Sequence, residues 1–268
     1  MATAPVAPPE GEISGNVLLY VHPEPLNKEV HGKLGLEPTD APYGFAKAAN
    51  ACPLHVSEFG IGAASFPIIF AGETRQPLAV MALRENENLF IDEKGGWEPG
   101  AYIPSFVRRY PFVLANDDAQ QRLVVCIDVK APFLKEGGQI ARFENDEASA
   151  YTKNALQFCQ DFETERQRTE SFVKLLTDLD LLETKQTHYA PPNADGTAGD
   201  PIVVSEYFAV SEEKLGALPA AKLKELQDNG ALPQIYAHLV SLAAWDKLLA
   251  RTLAIAPLTP ATPTAANA

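Results

Sequence analysis

Between Gln139 and Ala190 the chain holds neither glycine nor proline, although it carries 17 glycines and 22 prolines in 268 residues. Proline breaks helices and glycine weakens them, so a stretch of this length without either reads as helix. Within it Tyr151, Ala155, Phe158 and Phe162 step by four, three and four, and Phe172, Leu175, Leu176 and Leu179 repeat the pattern. Each set falls on one helix face. The polar run Glu163 to Arg168 separates the two sets, and Thr169 followed by Glu170 makes a good N-cap. Two helices are therefore expected here.

The N-terminal half has a different grammar. From Val17 to about Asp128 the signals are short apolar runs of strand length: Val17–Val21, Pro67–Phe70, Leu78–Leu83, Asn88–Ile91 and Leu123–Ile127. Turn formers such as Ala71-Gly72-Glu73 and Gly95-Gly96 separate them. Spacings of about ten residues suit an antiparallel meander rather than βαβ units, which need longer crossovers. One early helix is expected at Tyr43 to Asn50, stopped by Pro53. Beyond the loop-like His188–Asp200, a strand is expected at Ile202–Phe208 and a helix from Pro219 to Gly230. A last helix starts near Pro233 with Ile235, Leu239, Leu242, Trp245 and Leu249 on one stripe. The expected fold is α+β, an antiparallel sheet from the N-terminal half packed by helices from the C-terminal half. A single domain is expected over residues 15–252, with disordered tails at 1–14 and 253–268 that are rich in Pro, Ala and Thr.

Composition narrows the partners. Hydrophobic residues at 46% are enough for a core, and a net charge of −13 repels phosphate backbones and anionic headgroups. Nucleic acid is thus excluded as a natural partner. No window reaches about 18 uninterrupted apolar residues, since the nearest, Ile235 to Trp245, is interrupted by His238 and Ser241. The N-terminus has neither the basic nor the apolar region of a secretory signal, so a cytoplasmic location is expected. Cys52, Cys126 and Cys159 have no C-x-x-C spacing and are expected as buried free thiols.

Chemical motifs are weak. Gly60-Ile61-Gly62-Ala63-Ala64-Ser65 imitates part of a dinucleotide fingerprint, but it ends in Ser and no strand–helix unit surrounds it. His22, His31, His55, His188 and His238 show no metal-ligand spacing, although folding can gather some of them with Glu58. Asn193-Ala194-Asp195-Gly196 lacks the acids of a calcium loop. Ser65 and Ser105 have no nucleophile-elbow context, and Glu58 with Asp128 is a carboxylate pair that one sequence cannot bring together. No catalytic residue, metal or cofactor is assigned.

The densest stretch is Asn88 to Leu114, which holds Phe90, Trp97, Tyr102, Phe106, Tyr110 and Phe112 beside Arg108-Arg109. Two readings stand together: a recognition surface, because Arg and aromatics anchor interfaces, or a core hairpin whose Arg pair forks onto Asp92, Glu93 or Asp128. If Phe106 to Phe112 is extended, Arg108 shares a face with Phe106 and Tyr110, and Arg109 lies on the other. Arg108 is then partner-facing, and Arg109 forms a structural ion pair with Asp128.

These residues carry a resemblance as well. Asn50-Ala51-Cys52-Pro53-Leu54 leading to Glu58-Phe59, Phe66–Phe70, Pro77–Arg84, Asn88–Asp92 and Gly96-Trp97 form one part of it. Tyr102-Ile103-Pro104, Arg108-Arg109-Tyr110-Pro111-Phe112 and Cys126-Ile127-Asp128 follow, with Thr169, Phe172, Leu239 and Ser241-Leu242 in the C-terminal half. Together, from about Val17 to Leu249, the chain resembles the SapC family of bacterial proteins, named for a surface-array-associated protein. The resemblance implies a single-domain protein without a characterised enzymatic activity. It points to a non-catalytic binding or assembly role, associated with a surface layer, with a protein partner or self-association. A cell-surface location would then need a signal-independent route. Members encoded beside flavin-dependent halogenase-like and cupin-like proteins imply the alternative, an accessory factor or small enzyme. The binding candidates are Arg108, Tyr110, Trp97, Tyr102, Glu58 and Arg84. A solvent-open cleft lined by Glu58, Arg84, Arg108 and Tyr110 favours the alternative, and a flat aromatic surface favours assembly.

Overall fold

In the computed structural model the middle of the glycine- and proline-free stretch forms one continuous helix, Ala150–Asp178, and not two, while both ends, expected as helix, carry strands: Ile140–Ala141, Phe143–Glu144 and Glu147–Ala148 before it and Leu182–Tyr189 after it. The polar run is helix surface: Arg166 bridges Glu163 at 2.7 Å and also pairs with Glu170, and Gln167 donates to Glu163 at 3.0 Å. Such i,i+3 and i,i+4 pairs support a helix where no apolar face does. Thr169 does not cap. Its hydroxyl donates to the Glu165 carbonyl four residues back, 2.7 Å away, and accepts the Val56 N–H at 3.0 Å.

The structure describes residues 18–117, 122–144, 147–191, 197 and 199–258. The expected tail 1–14, most of the tail 253–268, and Asn193-Ala194-Asp195-Gly196 lie outside them. In chain order the strands are β1 (Pro23–Pro25), β2 (Leu34–Leu36), β3 (Ala51–Pro53), β4 (Ile68–Ala71), β5 (Gln76–Val80), β6 (Phe112–Asp117) and β7 (Arg122–Asp128). Four short strands follow, β8 (Leu134–Glu136), β9 (Ile140–Ala141), β10 (Phe143–Glu144) and β11 (Glu147–Ala148), and then the long pair β12 (Leu182–Tyr189) and β13 (Ile202–Val210). The helices are α1 (Lys28–His31), α2 (Phe59–Gly62), α3 (Ser105–Arg108), α4 (Ala150–Asp178), α5 (Glu212–Gly216), α6 (Ala220–Asp228), α7 (Ala231–Ser241) and α8 (Ala244–Ile255). The protein is α+β, with all sheet pairings antiparallel.

The chain forms two compact units, each from two separated stretches. The first comprises Met1–Pro38 and Arg109–Gln160. Its main sheet has the order β1-β7-β6, a second has the order β8-β2-β9, and Phe112, Ile127 and Cys159 lie at the core. In the second sheet Gly35 and Gly138 bring two backbones together: a Cβ on Gly35 would meet the Gly138 carbonyl oxygen at 2.4 Å. Only glycine tolerates that approach.

The other unit comprises Thr39–Arg108 and Asp161–Ala268. Its sheet has the order β12-β13-β4-β5-β3, so two of its five strands come from the C-terminal half. Leu54, Phe59, Phe66, Ile68, Phe70, Met81, Leu176 and Leu181 form its dry interior. His238 of α7 joins that helix to the sheet, donating from Nδ1 to the Ile68 carbonyl at 2.9 Å and accepting the Val210 N–H at Nε2, 3.0 Å. Burial pushes its pKa down to about 4.

Several local expectations change. Tyr43 to Asn50 is a single 3₁₀ turn, Gly44–Ala46, because the Tyr43 N–H goes to Gly95 O and the Asn50 carbonyl accepts from Met81 and Ala82. Leu18 to Val21 is a turn with Leu19 at φ 80°, since the Val21 and His22 N–H groups bind a side chain instead of a strand. Asn88 to Ile91 is also a turn, closed by the Asn88 side chain accepting the Phe90 N–H. The last helix breaks in two after Ser241, whose hydroxyl donates to the His238 carbonyl and accepts the Ile68 N–H at 3.0 Å. Residues 106–112 are not extended: Pro104 accepts from Val107 and Arg108 to start α3, and the strand begins only at Phe112.

Candidate functional site

Glu58 closes a 3₁₀ turn, Val56–Glu58, that begins after His55. Its side chain reaches back, and Oε2 accepts the His55 N–H at 3.0 Å. The i,i+3 spacing of His55 and Glu58 is that of a capping box. The same carboxylate receives a second segment. Oε1 accepts the Ser105 N–H at 2.7 Å and the Tyr102 hydroxyl at 2.7 Å, and Oε2 accepts the Ser105 hydroxyl at 2.8 Å. Each oxygen thus has two donors, which fills the acceptor capacity of a carboxylate. Glu58 is 6% exposed, and His55 and Ser105 are buried with it.

Serine, histidine and glutamate together invite a nucleophilic reading, which the Ser105–Glu58 bond opposes. The Ser105 hydroxyl donates to Glu58 Oε2, and His55 Nδ1 stands 3.3 Å from Ser105 Oγ. In a catalytic triad the serine proton goes to the histidine, and the carboxylate holds the far side of that ring, whereas here the serine hydroxyl bonds the carboxylate directly. The cluster is a knot that ties residues 55–58 to 102–105.

The knot reaches the surface through Tyr102. Burial pushes its pKa up to about 12, Glu58 adds to the shift, and Arg108 opposes it. At neutral pH Tyr102 is therefore a fixed donor to Glu58, and its oxygen accepts from Arg108 Nη2 at 3.1 Å. Arg108 Nε donates to the Ile103 carbonyl at 3.0 Å, and the guanidinium carbon lies 5.8 Å from the Tyr102 ring centroid. Arg108 is exposed. The arrangement presents an oriented cation on a half-buried tyrosine.

The other candidates are placed elsewhere. Trp97 stacks on Phe90 at 6.2 Å and meets Tyr43 edge-on at 5.7 Å, with its backbone bridged to Ile91. Arg84 pairs with Glu87 at 3.3 Å and donates to the Thr252 and Ala256 carbonyls at the end of α8, a site where a cation suits the helix dipole. Tyr110 belongs to the first unit, against Tyr20 and Phe133, and its hydroxyl donates to Asp128 at 3.2 Å. Burial raises its pKa, and Asp128 raises it further. Asp128, wholly buried, also accepts the N–H groups of Val21, His22 and Lys130 at 2.8, 3.0 and 3.0 Å. The Arg109 guanidinium carbon lies 5.7 Å from the Tyr20 ring centroid. The sequence reading passed over His55 and Ser105 as site residues. The legible signals were the His-x-x-Glu spacing and a Pro-Ser helix start.

Cys52, Cys126 and Cys159 are buried free thiols. Burial pushes Cys126 and Cys159 up to about 11, which removes the thiolate a nucleophile needs. Among the described residues no group of three or more His, Cys, Asp or Glu side chains is gathered to hold a metal ion. Among them, too, no helix is long and apolar enough to cross a membrane. A depression of about 500 Å³ on one face of α6, lined by Ala221, Lys224, Glu225, Asp228 and Asn229, contains none of the candidate residues.

No curated protein and no solved structure matches the chain. A family model described as SapC matches residues 26–248, which include Glu58, Tyr102, Arg108 and Asp128, and the chain belongs to the SapC family.

Proposed function

We propose that this SapC protein is a non-catalytic binding or assembly protein, and that the oriented Arg108–Tyr102 pair is where it meets a protein partner or a second copy. The reading is carried by one observation: an exposed guanidinium is braced by two hydrogen bonds onto a tyrosine that a buried carboxylate holds in place. A pre-ordered Arg loses little side-chain freedom on binding, and Arg beside an aromatic ring is a frequent interface anchor. The partner presents a carboxylate or a backbone carbonyl to the guanidinium. Surface-layer association is part of the same reading, as is residence in the cytoplasm before any assembly at the surface. The enzyme-like alternative calls on Glu58 and Arg84, but Glu58 is engaged on both oxygens and Arg84 caps α8, which favours assembly.

Affinity capture from the native cell tests the proposal. Arg108→Ala should lose the captured partner, or the self-association, while its melting temperature stays within about 2 °C, because an exposed side chain contributes little to stability. Capture equal to wild type by a folded Arg108→Ala protein would refute it.

A further inference from the structure

α7 turns polar side chains inward and apolar ones outward. His238 and Ser241 are wholly buried, where they serve the backbone of Ile68 and, through His238, that of Val210. On the outward side Tyr236 is 54% exposed and Val240 67%, with Pro233 and Ala243 exposed before and after them. The four positions step by three, four and three, which keeps them on one stripe. The backbone stays in the α region through Leu242 and Ala243, so the stripe runs past the end of the helix. A helix exposed to water normally carries its charges on that side. The helices before and after α7 do so, with exposed Lys222, Lys224, Glu225 and Asp228 on α6 and Asp246 and Lys247 on α8. From Gly230 to Trp245 there is no Asp, Glu, Lys or Arg. Ile61 of α2, the helix packed beside α7, adds an apolar side chain that is 58% exposed, and Phe59 to Gly72 is equally free of charge.

Charge and symmetry say what covers this face. The chain carries a net charge of −13, so two copies repel over most of their surface and approach best where neither bears a charge. A partner that binds through charge finds nothing to pair with here. The stripe is also its own complement. Tyr236 and Val240 lie two residues either side of His238, and Pro233 and Ala243 lie five. Two α7 helices packed antiparallel about a two-fold axis at that level set each Tyr236 against the second copy's Val240, and each Pro233 against the second copy's Ala243. An isologous contact needs this self-matching.

We propose that the outward face of α7 is a self-association surface, occupied by the same face of a second copy, with Tyr236 packed on Val240 across a two-fold axis. The surface shares no residue with the Glu58–Tyr102–Arg108 array and stands whether or not Arg108 recognises a partner. One helix stripe with Ile61 beside it covers less than the roughly 800 Å² per partner of a standard interface, so the dimer is weak.

The test is sedimentation velocity of the full chain from about 1 to about 300 μM, a range that reaches weak dimers. The sedimentation coefficient should rise with concentration toward that of a dimer. Val240→Glu sets a carboxylate against the second copy's Tyr236 and should weaken association at least tenfold. Its melting temperature should stay within about 2 °C of wild type, because the side chain is exposed. Arg108→Ala should dimerise like wild type. Mixing Tyr236→Cys and Val240→Cys chains reads the register, since the mixed disulfide should form faster than either chain's own. If Val240→Glu fails to fold, Tyr236→Ser decides in its place. A wild type that stays monomeric over the whole range overturns the proposal, whether it is inert or instead binds phosphatidylcholine vesicles or a different protein through Val240. So does association unchanged in a folded Val240→Glu chain, association lost in a folded Arg108→Ala chain, or a mixed disulfide that forms no faster than the others.

Discussion

Glu58 and Asp128 are two answers to the same problem, one in each unit. Each is a buried carboxylate with two donors on each oxygen, and each includes a tyrosine hydroxyl among the four. The difference lies in the donors. Three of the four on Glu58 are in buried bonds, and the fourth, Tyr102, leads outward to Arg108. At Asp128 only the Tyr110 bond is buried, and the three backbone bonds are partly open to water. Burial of the acid itself, 6% exposed for Glu58 and 0% for Asp128, does not rank the two. What ranks them is whether water can replace the carboxylate at its donors, because an unsatisfied buried donor is the costly outcome.

The comparison breaks most directly at the acids. Glu58→Ala should cost about 3–5 kcal/mol and Asp128→Ala about 2 kcal/mol, since stranded buried donors cost about 1–3 kcal/mol each while open ones rehydrate. Urea unfolding measures both. A larger loss at Asp128 would show that exposure of the acid, and not of its donors, sets the cost.

A pH scan sharpens it next, because the unit that holds Glu58 also holds His238. That histidine is near pKa 4 when folded and near its ordinary 6.5 when unfolded. Between these values the unfolded chain binds the extra proton, so stability is full above about pH 6.5 and falls as pH drops toward 4. The loss is about 3 kcal/mol for a depression of this size. His238→Gln should flatten this limb at the expense of lower stability at pH 7. An equally steep limb in the variant would assign it to other groups.

The tyrosines give the smallest effect and the finest distinction. Tyr102→Phe and Tyr110→Phe each remove one hydrogen bond to a carboxylate, and each should cost about 1–2 kcal/mol. Only Tyr102→Phe should also weaken partner capture, since it alone unties Arg108. Equal loss of capture in both variants would remove Tyr102 from the recognition array.

Much of the fold was legible because local chemistry dictates it. The absence of Gly and Pro from Gln139 to Ala190 announced α4, and Gly230, at φ 76°, ended α6 where expected. The apolar runs at Pro67–Phe70, Leu78–Leu83 and Leu123–Ile127 became β4, β5 and β7 within a few residues. The patterning of apolar residues along the chain set the α+β class and the lack of an apolar stretch long enough to span a membrane, and composition set the net charge of −13.

Elsewhere a distant partner overrode the local preference. Thr169 is a plausible cap in isolation, yet its hydroxyl serves Val56, 113 residues away. The run ending at Val21 looks like a strand, but its N–H groups are taken by Asp128. Ser241 interrupts an otherwise continuous apolar stripe because Ile68 needs an acceptor. The site obeys the same rule. Glu58, Tyr102 and Arg108 could each be named from the sequence, but their grouping, and the exclusion of Tyr110 and Arg84 from it, could not. A hydrogen bond between segments 44 residues apart leaves no trace in the periodicity of either one. The chain by itself determined which residues were able to carry charge, donate or stack. Tertiary structure decided which of those groups were closed inside and which, like Arg108, were braced at the surface.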